Sequence, residues 1–406
     1  MGQIIAGGEQ FETHIEADYR GRILQKGPDS GGVDAFGRAR VSEPFTIFDS
    51  TLRYTKRTDQ WFESFVGSGS VNYLVNESSL ELKTTTASGD TALRRTKRDM
   101  PYQPGKSLQV MQSFAGNALA SGLVQEVGYF DDDNGIILRA SGSTIQFAIR
   151  SKASGSVVEE VVNQSSWNID TFSLLAFDKT NIFITDLEWL GVGRVRCGFV
   201  IDGEIKWCHE FNHANEKTAV YMTTATLPLS YRIHNSSSIA SPATLKQICS
   251  SVMSEGGYEP TGPIYTGGAG IAGVKSITSE TLFAAIRMAS GRTDNLILPA
   301  QVDAGTDGNA IAKWRLYLNP TVSGVWNAAE NGRGNVEVMA SGTFSGGTIV
   351  STGLLAGRAN TAFSPESALA LSLGKDANGN SDVLMLTIQC DTAMKATGQI
   401  GWRELY

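Results

Sequence analysis

Residues 181–211 read NIFITDLEWLGVGRVRCGFVIDGEIKWCHEF, three short runs of alternating apolar character broken by two turns. Side chains alternate across a pleat, so Ile182, Ile184, Asp186 and Glu188 share one face of a strand. Phe183, Thr185, Leu187 and Trp189 share the other. Gly191-Val192-Gly193 supplies the positive φ of a reversal, after which Val195, Cys197, Phe199 and Ile201 continue the apolar face, with Arg194 and Arg196 turned away from it. Asp202-Gly203-Glu204 turns the chain again into Ile205, Trp207 and His209. The stretch predicts a three-stranded antiparallel meander with one face in a core. With Leu190 opposite Arg194, the register sets Glu188 against Arg196 as a structural ion pair on the outer face.

Composition extends this reading outward. At 406 residues the chain is long for one core, and about two domains is the expectation. An apolar fraction of 41% suffices for packed interiors, while 44 glycines beside 18% charged residues favour short strands and many turns. A net charge of -7 argues against a nucleic-acid partner. Cys197, Cys208, Cys249 and Cys390 lack CxxC spacing and disulfide density, and read as reduced, mostly buried thiols. The first residues lack the charged and apolar regions of a signal peptide, and no apolar run reaches about 18 residues. A soluble protein made in a reducing cytosol, with no membrane partner, is the expectation.

Along the chain, residues 1–44 scatter too few apolar residues to build a core. They are expected as an extended N-terminal arm, laid along the body or onto a neighbouring subunit, with Phe36, Arg38 and Arg40 at its contact end. From 45 to 257, short evenly spaced apolar runs predict a jelly-roll domain. Residues 258–273, rich in Gly and Pro, read as a linker. Residues 274–406 hold a second β set, a C-terminal sandwich, in which LFAAI at 282–286 reads as strand in preference to helix. The fold class is therefore all-β, two β-sandwich or jelly-roll domains behind an extended arm.

Few constellations suggest chemistry. FDDDNG at 130–135 puts Asp131 and Asp133 beside a turn, where they could ligate Ca2+, yet the segment lacks EF-hand spacing and is an ordinary hairpin tip. GAGIAG at 268–273 has the letters of a dinucleotide fingerprint without its strand and helix, and reads as connector. Asp186, Glu188, Glu204 and Glu210 bring carboxylates into the meander, but Glu204 lies in a turn and Glu210 on another strand from the first two. A glycosidase needs two facing one cleft. His209 and His213 would meet only on a helix. The seven tryptophans are expected mainly as core or interface anchors. Arg94, Arg95, Lys97 and Arg98 read as a solvated or subunit-facing edge. No enzyme activity and no cofactor are expected.

DAFGRARVSEPFTIFDS at 34–50, YFDDDNGI at 129–136, EWLGVGRVRCGFVIDGEI at 188–205 and CHEFNHAN at 208–215 together resemble a widespread group of tailed-bacteriophage virion proteins. The likeness spans roughly 34–257, and the C-terminal third resembles the group more loosely. The loop at 171–178 is shorter than the group's pattern. The resemblance implies a structural component with a jelly roll similar to concanavalin A-like lectins and glucanases, and transfers no catalytic residue. The expected function is a non-enzymatic virion protein, assembled in the host bacterial cytoplasm and associated with the tail or baseplate. Its expected partners are copies of itself and other virion proteins. The alternatives are a capsid decoration protein and a module that binds a host-surface glycan.

Overall fold

The computed structural model describes residues 44–405 except 271–272, 294, 308–310, 330–333, 356–357 and 363–364, together with 16–17 and 23–24. The expected contact end of the arm, Phe36, Arg38 and Arg40, lies outside the described residues. Glu16–Ala17 and Ile23–Leu24 pair antiparallel.

The first sandwich packs two antiparallel sheets. A seven-stranded sheet runs, in spatial order, Val158–Asn163, Thr144–Ser151, Gly135–Gly142, Ala120–Phe130, Leu229–Asn235, Thr91–Thr96 and Trp61–Val66. Facing it, an eight-stranded sheet runs Glu204–Phe211, Val195–Ile201, Thr180–Leu187, Ser107–Ala115, Ala243–Glu255, Ser79–Thr84 and Ser70–Leu74, with Phe45–Thr51 also paired to Ala243–Glu255. The alternation read from sequence sets their inner faces. Phe183, Leu187, Val195, Cys197 and Phe199 from one sheet meet Val127, Leu138 and Phe147 from the other in a single buried cluster. Phe147 stacks on Trp167 with ring centroids 4.1 Å apart. Each such side chain contributes about 1.5–3 kcal/mol on burial.

The meander corrects its expected register. Leu187 pairs with Val195 and Asp186 with Arg196, so Arg196 faces a residue two positions earlier than expected. The strand ends early because Trp189 leaves it, donating Nε1 to the Met222 carbonyl at 3.1 Å and meeting Tyr102 edge-on at 6.0 Å. Gly193 makes the wider loop possible. A Cβ there would lie 1.7 Å from the Glu188 carbonyl oxygen. The second turn is as read: Asp202 and Gly203 both have positive φ, 51° and 84°, the geometry that follows strand twist.

Beyond it, the expected linker contributes Tyr265–Gly268 to a sheet with Met394–Leu405, Leu296–Thr306 and Arg358–Ala362; Lys275–Ile277 also pairs with Met394–Leu405. GAGIAG therefore begins on a strand end rather than in a free connector. Thr281–Met288, which contains LFAAI, is a strand in a six-stranded sheet. A second cluster around Phe283, Ile286, Trp314, Leu386 and Trp402 fills this half.

The basic run at 94–98 is not a solvated edge. Arg94 is fully buried, its Nε donating to Gln247 Oε1 at 2.6 Å, and its guanidinium lies 5.3 Å from the Trp61 ring. Arg98, partly buried, crosses to the second half, donating to the Leu369 carbonyl and to Ser372 Oγ at 3.4 Å. Lys375 N donates to the Lys97 carbonyl at 2.8 Å beside it. Leu296, Leu298, Ala368 and Leu369 join the first core, so apolar packing crosses the same seam. Burial pulls the Arg98 pKa down to about 10, which leaves it a cation at neutral pH.

Candidate functional site

The densest charge in the meander lies on the outer face of the eight-stranded sheet. Asp186, Arg196 and Glu210 fall opposite one another across three neighbouring strands. Arg196 Nε donates to Asp186 Oδ2 at 3.1 Å, and Arg194 Nη1 lies 3.1 Å from Glu210 Oε2. Glu188 lies just past the end of the strand Thr180–Leu187. Asp186, Glu188 and Arg196 are each 0% exposed, so the ion pair expected at the surface is a buried assembly, with Asp186 opposite Arg196.

A bulge completes it. His209 pairs with Cys197 and Trp207 with Gly198, which leaves Cys208 as the extra residue and turns Trp207 onto the Arg196 face. The Arg196 guanidinium lies 4.4 Å from the Trp207 ring centroid. Gly198 is required at this crossing: a Cβ would meet the Lys206 carbonyl oxygen at 2.3 Å. Sequence periodicity placed Trp207 and His209 on one face because it cannot show an inserted residue.

Chemically, this arrangement holds charge rather than offering it. A glycosidase needs an acid and a second carboxylate open to a sugar. Here Asp186 is bonded to a guanidinium and neither it nor Glu188 reaches the surface.

The other candidates separate. Asp131 Oδ1 accepts the backbone N–H groups of Asp133 and Asn134 at 2.8 and 2.6 Å, the pattern of an Asx turn. Asp133 is paired with Lys152 at 2.8 Å and Asp132 with Arg95 at 3.0 Å. The structure thus spends the carboxylates of this loop on its own turn and on cations, and no His, Cys, Asp and Glu group fit for a metal occurs among the described residues. His209 Nδ1 accepts from Asn168 N at 3.2 Å, whereas His213 Nδ1 bonds the Gly193 carbonyl at 2.7 Å and its ring stacks on Tyr221 at 4.0 Å. Burial holds both imidazoles below their ordinary pKa. Burial also pushes the Cys208 thiol up to about 12, the opposite of an activated nucleophile. Trp61, Trp167, Trp207, Trp314 and Trp402 are buried, which removes them as open sugar platforms.

One cluster was missed by sequence reading. On the outer face of the seven-stranded sheet, Glu126 is 1% exposed and lies opposite Arg139 on one neighbouring strand and Arg232 on the other. Arg139 Nε donates to it at 2.7 Å and Arg232 also bonds it. Glu159 links Arg139 and Arg150 at 2.7 and 2.9 Å. Burial alone would raise the Glu126 pKa, but the charges of Arg232 and Arg139 outweigh it and hold the carboxyl below its usual range. Glu126, Arg139, Glu159 and Arg232 are spread over 106 positions, and no local pattern joins them.

No protein-family model matches the chain, and no curated protein matches it. Among solved structures it is similar to a Bacillus licheniformis β-glucanase, at 14% identity over 52% of this chain and 98% of that one, with a TM-score of 0.33. It is also similar to a family 16 glycosyl hydrolase protein from Mycobacterium smegmatis, at 11% identity over 51% of this chain and 100% of that one, TM-score 0.38. A third is the CBM2 module of an evolved Dit from Lactobacillus casei BL23 phage J-1, at 8% identity over 53% of this chain and 99% of that one, TM-score 0.36. These likenesses concern about half of this chain, and no role passes from them to it.

Proposed function

We propose that this chain is a non-enzymatic structural protein of a tailed-phage virion, associated with the tail or baseplate, that assembles with copies of itself and with other virion proteins. The observation that carries the reading is the fate of the meander carboxylates. Asp186 and Glu188, the first two of the meander's acids, are wholly covered, and Asp186 is bonded to Arg196. The arginines at 94–98 likewise bind the fold together, with Arg98 bridging its two halves. Such a molecule acts through its surfaces. The phage setting is supported by the motifs at 34–50, 129–136, 188–205 and 208–215, which resemble those of virion proteins.

The test is to purify particles from a host expressing the tagged chain, quantify the chain by mass spectrometry and locate it in a particle map. In parallel, host-surface polysaccharide is incubated with the purified protein and new reducing ends are counted. A fixed copy number in tail or baseplate density with no cleavage is the expected result. A monomer that is absent from particles and depolymerises the glycan overturns the reading.

A further inference from the structure

We infer that a hollow on the outer face of the eight-stranded sheet, lined by Ser79, Ala115 and Ile248, binds one neutral saccharide unit. The site adds a ligand to a chain proposed to act by assembly, and it stands independently of that reading.

Two local features open the hollow. Leu80, Leu82 and Phe114 point into the first core, so Ser79, Glu81, Ser113 and Ala115 point away from it. Thr180, Ala115, Lys246 and Glu81 stand in one row across four neighbouring strands, and Ala115 is the short member of that row. Beside it, Gln247 pairs with Phe114 and Ser250 with Gln112, so Ile248 and Cys249 together oppose Ser113. A bulge of this kind bends its strand and re-aims a side chain, and Ile248 is part of the lining. The resulting space is about 400 Å3, within the size range of small-molecule sites. Thr180 opens the strand that carries Asp186 near its other end, about 20 Å away, so the hollow is separate from the carboxylate row.

Its chemistry selects the ligand. Ser79 is 2% exposed, and its Oγ has no hydrogen-bond partner among the described residues. A buried hydroxyl without a partner is costly, and a ligand hydroxyl entering the hollow satisfies it. At the mouth, Lys246 Nζ lies 2.7 Å from Glu77 Oε2, and Lys179 Nζ lies 3.3 Å from Asp178 Oδ2. Each ammonium already has a carboxylate, so an ionic ligand must break a pair or meet a like charge. A sugar does neither. Its hydroxyls both donate and accept, which suits carboxylate and ammonium together, and its C–H face suits Ala115 and Ile248.

Saturation-transfer NMR on the full-length chain tests the site, with glucose, galactose, rhamnose and N-acetylglucosamine as separate probes and inorganic phosphate as competitor. At least one sugar is expected to bind, with its signal unchanged by phosphate at equal concentration. Ala115→Leu fills the hollow and is expected to abolish the signal. Ser79→Ala removes one hydrogen bond and is expected to raise the titrated Kd about three- to tenfold, with circular dichroism and melting temperature unchanged. Should Ala115→Leu fail to fold, the Kd of Ser79→Ala decides. Silence from all four sugars, displacement by phosphate, or a Kd unchanged in Ser79→Ala overturns the site.

Discussion

On the outer face of the eight-stranded sheet an arginine lies between two acids, Asp186, Arg196 and Glu210, across three strands; on the seven-stranded sheet an acid lies between two arginines, Arg232, Glu126 and Arg139. The central residue is covered in both, Arg196 at 0% and Glu126 at 1% exposure. The two rows differ in what supports the middle charge. Arg196 adds the face of Trp207 to its carboxylate, while Glu126 is held by Arg232 and Arg139, and Glu159 ties Arg139 to Arg150. A buried charge contributes little net stability but is costly to strand, so each row favours one strand register over its neighbours. The same chemistry that could serve a reaction here specifies pairing.

The largest expected effect comes from emptying the first row. Arg196→Ala leaves Asp186 without its guanidinium bond and Trp207 without its stacked cation, and is expected to cost roughly 3–5 kcal/mol in urea unfolding. A loss under about 1 kcal/mol would show that the row does not hold the meander. Glu126→Gln keeps shape and removes charge from the second row. Its expected cost is about 1.5–3 kcal/mol, smaller because Arg139 and Arg150 retain Glu159. If Glu126→Gln proves the costlier of the two, the aromatic support of Arg196 is not what separates the rows.

Acid tests the second row. Burial would raise the Glu159 pKa, but bonds and charge from Arg139 and Arg150 bring it from 4.5 down to about 2. The folded state therefore binds fewer protons than the unfolded one over that interval. Its contribution is fully present above about pH 4.5 and is lost as pH falls through about 2. Urea midpoints measured from pH 5 to pH 2 are expected to fall less steeply in Glu159→Gln, and an unchanged slope would detach Glu159 from the row. The smallest effect belongs to the exposed pair of Lys217 and Glu160, with side chains 42 and 47% exposed. Lys217→Ala is expected to change stability by less than about 1 kcal/mol, and a larger loss would mean that the pair is more than a solvent-screened surface contact.

Much of the fold was legible in residues 181–211. Phe183, Leu187, Val195 and Phe199 do face the core, and Asp202-Gly203 does turn the chain. Arg98 was misread because a basic run in isolation looks solvated; only the carbonyl of Leu369, 271 residues away, gives it a buried role. Glu126 went unseen for the same reason, its arginine partners lying on other strands.

What sequence by itself determined was which side of the first two meander strands faces inward, because alternation is a local property with a period of two; in the third the bulge at Cys208 put Trp207 and His209 on opposite faces. What only tertiary structure decided was which residues stand opposite. Trp189 leaving its strand moved the pairing by two positions, a shift that preserves faces and changes partners, so Arg196 met Asp186 where Glu188 was expected. Partner choice depends on where distant loops anchor the strand ends, and that information is not local.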